Sequence, residues 1–188
     1  LSSDGTSLLL NGTAVGGGAS SIDGLSDAIY DTTDNNLGIG DNALGSVNAG
    51  AGTSVENTAV GDNAGANIAA GGNFNTALGH SALYANTIGT NNVAVGKGAL
   101  DSNTQGQLNT AVGSRALDSN TTASNNTSVG FFSLYSNTTG SDNVAVGKDA
   151  LDSNTTGGYN TAVGSNALQA NTTGQLNVAV GYNSLNAN

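Results

Sequence analysis

Small apolar residues return at a fixed interval along most of the chain. From residue 75 onward, a phrase close to N-[TV]-A-[VL]-G-x-x-A-L-x-x-N-T recurs at every seventeenth position. We number positions within each unit from its glycine, which is position 0. The repeat glycines are Gly79, Gly96, Gly113, Gly130, Gly147, Gly164 and Gly181. Because so short a unit cannot bury its own apolar side chains, it must stack on its neighbours, and the repeat predicts a rod of stacked coils.

The order of residues within a unit favours β structure. A period of 17 is not a multiple of a helical turn, and the frequent Asn, Gly, Thr and Val residues disfavour helix. The pattern predicts an all-β parallel β-roll or β-solenoid with two short strands in each coil, one at N-T-A-V and one centred on A-L. We expect two positions to form the core: the apolar residue at −1, such as Val112, and the leucine at +4, such as Leu100, Leu117 and Leu151.

Glycine and asparagine mark the expected corners of each coil. One corner is the repeat glycine with the two variable residues after it, and the other is the S-N-T-T-G stretch, with Asn at +7 and Gly at +10. Both residue types tolerate the positive φ that tight turns require. Asparagines that stand in register are also expected to form amide ladders from coil to coil.

The period divides the chain into three regions. Residues 1–35 lack it and are predicted to form an irregular N-terminal segment or cap. Residues 36–74 are predicted to form irregular coils, because the intervals from Gly40 to Gly61 and from Gly61 to Gly79 are both longer than the later period. Residues 75–188 are the regular solenoid. Within it, residues 92–122 match residues 143–173, which indicates duplication of a block of three coils.

Composition and charge narrow the classes of partner. The 188 residues carry a formal net charge of −10, and the only Lys and Arg residues are Lys97, Arg115 and Lys148. Nucleic acids and anionic membranes attract clustered basic residues, so we expect neither partner. No apolar run approaches the roughly 20 residues that span a bilayer, and we expect no membrane insertion. The sequence begins at Leu1 and stops in mid-repeat at Asn188, which indicates a segment of a longer protein.

No arrangement of residues points to catalysis. His80 is the only histidine and follows a repeat glycine at a variable, surface-type position, and no nucleophile elbow accompanies any serine. The glycines do not form a phosphate-binding loop, and the nonapeptide calcium-binding pattern is absent. We therefore expect no enzyme, no cofactor and no catalytic or metal site, with a structural calcium ion in the acidic N-terminal third as an open alternative.

A few aromatic residues interrupt the polar surface ranks. They are Tyr84, Phe131, Phe132, Tyr135 and Tyr182. Such rings either stack on sugars or pack between subunits, so they are candidates for a lateral glycan site or for interchain contacts.

The apolar side chains of one coil are too few to stabilise the fold of a single chain. One valine, one leucine and two alanines do not offset the conformational entropy of ordering the whole coil. A symmetric oligomer supplies the missing contacts, and we expect a homotrimer. Position −3, which alternates between the isosteres Thr and Val, suits a close-packed interface.

The repeat phrases carry a family likeness. N-V-A-V-G at 92–96 and N-T-A-V-G at 109–113 are similar to the S-V-A-I-G phrase of YadA-type trimeric adhesin heads, and the longer unit resembles repeats of bacteriophage tail-fibre and virion structural proteins. The resemblance implies a homotrimeric fibre shaft on a virion tail fibre or at a cell surface. Such a shaft holds out a region, mostly outside this segment, that attaches to a glycan or protein receptor on the host cell.

Two other functions remain alternatives. The first is a bacterial trimeric adhesin or a carbohydrate-binding surface protein. The second is an ice-binding β-solenoid, which the sequence supports less well. Ice-binding faces need Thr at alternate positions, whereas Thr138 and Thr139 are adjacent and point to opposite sides.

Overall fold

The computed structural model describes residues 9–10, 13–14, 28–31, 34–47 and 54–187. These residues are all-β and include no helix. Of the predicted N-terminal segment, most lies outside the described residues. The described part contains a short antiparallel pair, β1 (Leu9–Leu10) with β2 (Thr13–Ala14), and the strand β3 (Ala28–Asp31).

One ten-stranded sheet runs the length of the rod. Its strands follow in sequence order from β3 to β12, with β3 antiparallel to β4 and every later pair parallel. The bounds after β3 are β4 Asn36–Ile39, β5 Thr58–Val60, β6 Thr76–Leu78, β7 Val93–Val95, β8 Thr110–Val112, β9 Thr127–Val129, β10 Val144–Val146, β11 Thr161–Val163 and β12 Val178–Val180.

The parallel register repeats the sequence period. Val95 lies opposite Val112, and Val112 lies opposite Val129. Each strand therefore pairs with its equivalent one coil away, which confirms the predicted parallel β-solenoid. The nine parallel strands define eight steps of about 4.8 Å, so the rod is roughly 38 Å long.

The second predicted strand is absent, and this part of the prediction is wrong. Positions +1 to +6 form stacked turns, because the residues at +2 and +4 adopt left-handed φ, as in Arg115 (56°) and Leu117 (55°). A left-handed residue reverses the local direction of the chain, so the segment cannot be extended. The turns still bond to both neighbouring coils: Arg115 N donates to Lys97 O (2.9 Å) and Leu117 N to Ser133 O (2.9 Å).

One of the two positions predicted to form the core does not belong to it. The leucines at +4, including Leu100, Leu117 and Leu151, are fully buried in every coil before the last, together with the alanines at −2 and +3, whereas Leu185 in the last coil is 47% exposed. The apolar residues at −1 are not core residues, and Val112 is 36% exposed. Successive strand side chains point to opposite faces, so the buried alanine at −2 places position −1 outside. The thin interior accepts alanine from the sheet and leucine from the turns.

Two columns of buried asparagine complete the interior, and the predicted amide ladders are present. At +7, Nδ2 of Asn120 donates to Oδ1 of Asn103 (2.8 Å) and to the Ala123 carbonyl (3.0 Å). At −4, the backbone N and Nδ2 of Asn109 both donate to Oδ1 of Asn92. A buried amide is tolerated only when its polar atoms are paired, and no buried side-chain polar atom of the described residues lacks a partner.

The glycines of the two corners serve different purposes. The repeat glycines have φ between 125° and 138°, as the prediction for that corner requires. The glycines at +10, such as Gly89, do not have positive φ. A Cβ on Gly89 would lie 2.5 Å from the Gly106 carbonyl oxygen and 2.8 Å from Asn103 Nδ2. The close approach of the next coil thus restricts +10 to small residues, which are Gly in all the regular coils that reach this position except the one with Ala123.

One coil carries a polar pair in the core. Ser128 and Ser133 replace the alanines at −2 and +3, and their hydroxyls bond to each other. Ser128 Oγ also donates to the Ser133 carbonyl (2.8 Å). Ser133 Oγ also donates to the Gly130 carbonyl (3.2 Å), so both buried hydroxyls are hydrogen-bonded and the core tolerates the pair.

Candidate functional site

The outer face of the parallel sheet is an exposed, largely apolar surface of the described residues. We define this outer sheet face as the side chains at −3 and −1 of strands β5 to β12, and every one of them is Thr, Val or Leu. In the single chain Val146 is 37% exposed and Leu78 47%, and Val180 in the last strand is 68% exposed. A continuous uncharged surface of this kind on a chain with a net charge of −10 is typical of an interaction site.

A rank of mixed polar and large apolar residues borders the outer sheet face at the corner before each strand. It occupies position −5, where every residue has left-handed φ. Its large members are exposed: Phe74 by 48%, Leu108 by 58%, Tyr159 by 61% and Leu176 by 77%. This rank is not among the site residues predicted from the sequence, although its apolar members fall at the same phase of the repeat.

The structure brings three of the five predicted aromatic residues together. Phe131 and Phe132 have ring centroids 4.2 Å apart, and Phe132 and Tyr135 have theirs 4.7 Å apart, both edge to face. Tyr84 and Tyr182 lie three coils away on opposite sides of this cluster, and both are exposed. The aromatic residues thus recur every three coils along one side of the rod.

A polar notch opens on the same side, between Tyr84 and the aromatic cluster. Its volume is about 250 Å³, and its lining includes His80, Lys97, Gly98, Asp101, Arg115 and Asp118. Gly98 creates the opening, because position +2 carries a side chain in the other regular coils. A Cβ on Gly98 would lie 3.5 Å from Asp118 Oδ2. We call this feature the lateral notch.

Charges of both signs meet in the lateral notch. Burial raises the pKa of the Asp101 carboxyl, and the electrostatic effects of Arg115 and His80 oppose the shift. Burial also raises the pKa of Asp118, reinforced by the charge of Asp101 and opposed by Arg115. Arg115 Nε lies 3.9 Å from Asp118 Oδ2, and Arg115 Nη1 donates to the Tyr135 hydroxyl (3.3 Å). Arg115 therefore links the notch to the aromatic cluster.

The duplicated block supplies a comparison within the molecule. Three coils further on, Lys148 and Asp152 take the places of Lys97 and Asp101, but Asp149 takes the place of Gly98. Lys148 Nζ pairs with Asp149 Oδ2 at 3.2 Å. The side chain that is missing at Gly98 is thus present in the second block and is engaged by the neighbouring lysine.

Two other classes of site find no support among the described residues. They group no three His, Cys, Asp or Glu side chains in a way that could hold a metal ion. Nor do they include a helix of the length and apolarity that a membrane crossing needs. Threonine hydroxyls at +8 donate hydrogen bonds to the next coil, as when Thr121 Oγ1 donates to the Thr138 carbonyl (3.2 Å).

Comparisons with known proteins gave no match. No protein-family model matches the chain, and no curated protein and no solved structure matches it. The likeness of the repeat phrases to those of phage fibres and adhesin heads stays a prediction. The geometry of the coils, the outer sheet face and the lateral notch therefore form the basis for assigning a function.

Proposed function

We propose that this chain is a structural shaft: a homotrimeric segment of a phage tail fibre or cell-surface appendage, displayed on a virion or at the cell surface, which extends a receptor-binding region towards a host cell. The observation that carries the proposal is the outer sheet face. It follows the whole regular solenoid without a charge, and a single chain leaves it open to solvent.

The chemistry of that face supports association between copies of the chain. Each coil presents the same pair of apolar or Thr side chains at the same level, so parallel chains would repeat one contact at every step of the rod. Burying Val and Leu side chains contributes about 25 cal/mol for each Å² of apolar surface removed from water. A contact that repeats along the axis can supply the stability that the small core of one chain lacks.

A threefold arrangement suits the shape of this surface. In a ring with cyclic symmetry, each subunit uses two different patches, one for each neighbour. The outer sheet face and the rank at −5, with its exposed Phe74, Leu108, Tyr159 and Leu176, are two adjoining surfaces that differ in composition and so offer two such patches. The proposal of three copies also rests on the resemblance to trimeric fibre repeats.

We expect the chain to sediment as a trimer. Val112→Asp should weaken association about 100-fold or more by burying three unpaired carboxylates in the trimer, although it removes no residue of the core. Sedimentation velocity and native mass measurement report the change. Ser114→Asp adds the same charge at a half-exposed position two residues later and should leave the trimer intact. A stable folded monomer of the unmodified chain would contradict the proposal.

A register-preserving deletion tests the role as a spacer. Removing residues 143–176 takes out two complete coils and places Asn177 where Asn143 stood. Both residues donate their backbone N to the preceding ladder asparagine at 3.0 Å, so the joint reproduces an existing contact. The fibre should fold, shorten by about 10 Å and still attach to its host.

Electron microscopy and a host-attachment assay with the full-length protein measure the two outcomes of this deletion. Loss of attachment by a deletion variant that remains trimeric and keeps its melting temperature would show that the receptor site lies on the removed coils. The spacer role would then be wrong.

A further inference from the structure

One line of side chains crosses the lateral notch from end to end. Position +5 in four successive coils is occupied by Tyr84, Asp101, Asp118 and Tyr135. The coils are joined at this line, because Ala85 N donates to Asp101 O (2.8 Å), Ser102 N to Asp118 O (2.9 Å) and Ser119 N to Tyr135 O (3.1 Å). Two carboxylates therefore stand one coil apart, with an aromatic ring beyond each of them. The line spans three steps, or about 14 Å.

The polar groups of the notch match hydroxyl-rich ligands better than ions. Asp101 and Asp118 supply acceptors, while Lys97 and Arg115 supply donors, and the two pairs of charges balance. A charge-balanced notch has no net attraction for a cation or an anion. Vicinal hydroxyls, however, donate to carboxylates and accept from ammonium and guanidinium groups, which makes charge-assisted hydrogen bonds in both directions.

The aromatic residues complete the requirements for such a ligand. Tyr84 is 39% exposed at one end of the line, and Phe131 is 47% exposed beside Tyr135 at the other. Exposed rings pack against apolar faces of partly polar ligands. Edge-to-face contacts with Phe132 hold Tyr135 in place, and the hydrogen bond from Arg115 fixes its hydroxyl. The platform is therefore ordered before a ligand arrives.

We propose that the lateral notch binds an uncharged oligosaccharide, with Asp101 and Asp118 accepting hydrogen bonds from its hydroxyls and Tyr84 and the Phe131–Phe132–Tyr135 cluster stacking on its rings. The site goes beyond the role of a shaft, because it places recognition on the coils themselves. Failure of the site would leave the shaft function untouched.

Filling the notch provides the sharpest test. Gly98→Asp copies Asp149 of the second block, and the backbone accepts it, since Gly98 has φ 63° and Asp149 has φ 55°. The matched control is Asn166→Asp, which adds the same charge at the same position of a coil outside the notch. Asp118→Asn removes one acceptor, and Asp152→Asn is its control, because Asp152 is a partly buried carboxylate at the same position of the second block.

The probes are immobilised neutral, sialylated and sulfated oligosaccharides, followed by calorimetric titration with the neutral one that binds best. We expect the unmodified chain to bind neutral oligosaccharides, Gly98→Asp and Asp118→Asn to lose at least 10-fold in affinity, and both controls to bind normally. Thermal melting should be unchanged for all four variants. Absence of binding to every neutral oligosaccharide would overturn the proposal, as would binding only to charged ones or equal losses in the variants and their controls.

Discussion

Leu117→Asp is expected to unfold the middle of the rod. Leu117 is fully buried among the alanines and leucines of the core, and the buried polar residues of the described chain are Asn and Ser only, so no cation is there to pair with a carboxylate. An unpaired buried charge costs about 3–5 kcal/mol, and loss of the leucine packing adds to it. Since each coil contacts only its neighbours, the damage should divide the solenoid into two weaker halves. Thermal melting by circular dichroism should show a large decrease in the transition temperature.

The comparison with Val112→Asp makes this result specific. Val112 is five residues away in the same coil, but its side chain lies on the outer sheet face. We expect it to act through association, so any fall in its melting temperature should disappear at protein concentrations that restore the trimer. If Leu117→Asp melted no earlier than Val112→Asp under those conditions, the assignment of inside and outside would be incorrect.

Gly147→Ala is expected to have the second large effect. Gly147 has φ 137°, a conformation that costs a residue with a side chain about 1–3 kcal/mol. The added Cβ would also lie 2.5 Å from the carbonyl oxygen and 2.6 Å from the carbonyl carbon of Gly164 in the next coil. Backbone atoms of a stacked coil cannot move aside as a side chain does. We expect a total loss of roughly 2–6 kcal/mol in the free energy of unfolding.

Gly181→Ala separates the two causes. Gly181 has φ 125°, but a Cβ there meets no atom within 4 Å. This variant should therefore show only the conformational cost, and denaturant titration of the two variants measures the difference. Equal losses at both positions would mean that the close approach of coils contributes nothing, and that conformation alone selects glycine in this rank.

The hydrogen-bonded asparagines of the interior were partly predictable from the sequence. Asparagines that recur in phase with the repeat indicated ladders, and the ladder of Asn103 and Asn120 is present. The companion ladder through Asn92 and Asn109 lies in the strand predicted from N-T-A-V, where the sequence analysis gave asparagine no role. The position of this asparagine in the repeat could have predicted its burial, because Asn at −4 and Ala at −2 share one face of a strand. The same alternation places Val at −1 on the outer face.

The candidate sites were less predictable than the fold. Tyr84, Phe131, Phe132, Tyr135 and Tyr182 were named from their variability, but a linear sequence does not show that Arg115 reaches Tyr135 or that Gly98 opens a notch beside Asp118. Those features depend on which side chains from three consecutive coils share a corner. The repeat predicts how far along the rod each side chain lies, and the turn geometry decides in which direction it points.

By itself the sequence determined the period, the parallel register and the burial of the leucines, because a short repeat can satisfy its backbone and its apolar residues only by stacking on itself. The tertiary structure decided the rest. Left-handed residues at +2 and +4 replaced the second strand with turns, and this drew the leucines inward against the small alanines of the sheet. The interior then had no room for the valines, so the larger apolar residues of the strand became the surface of the rod.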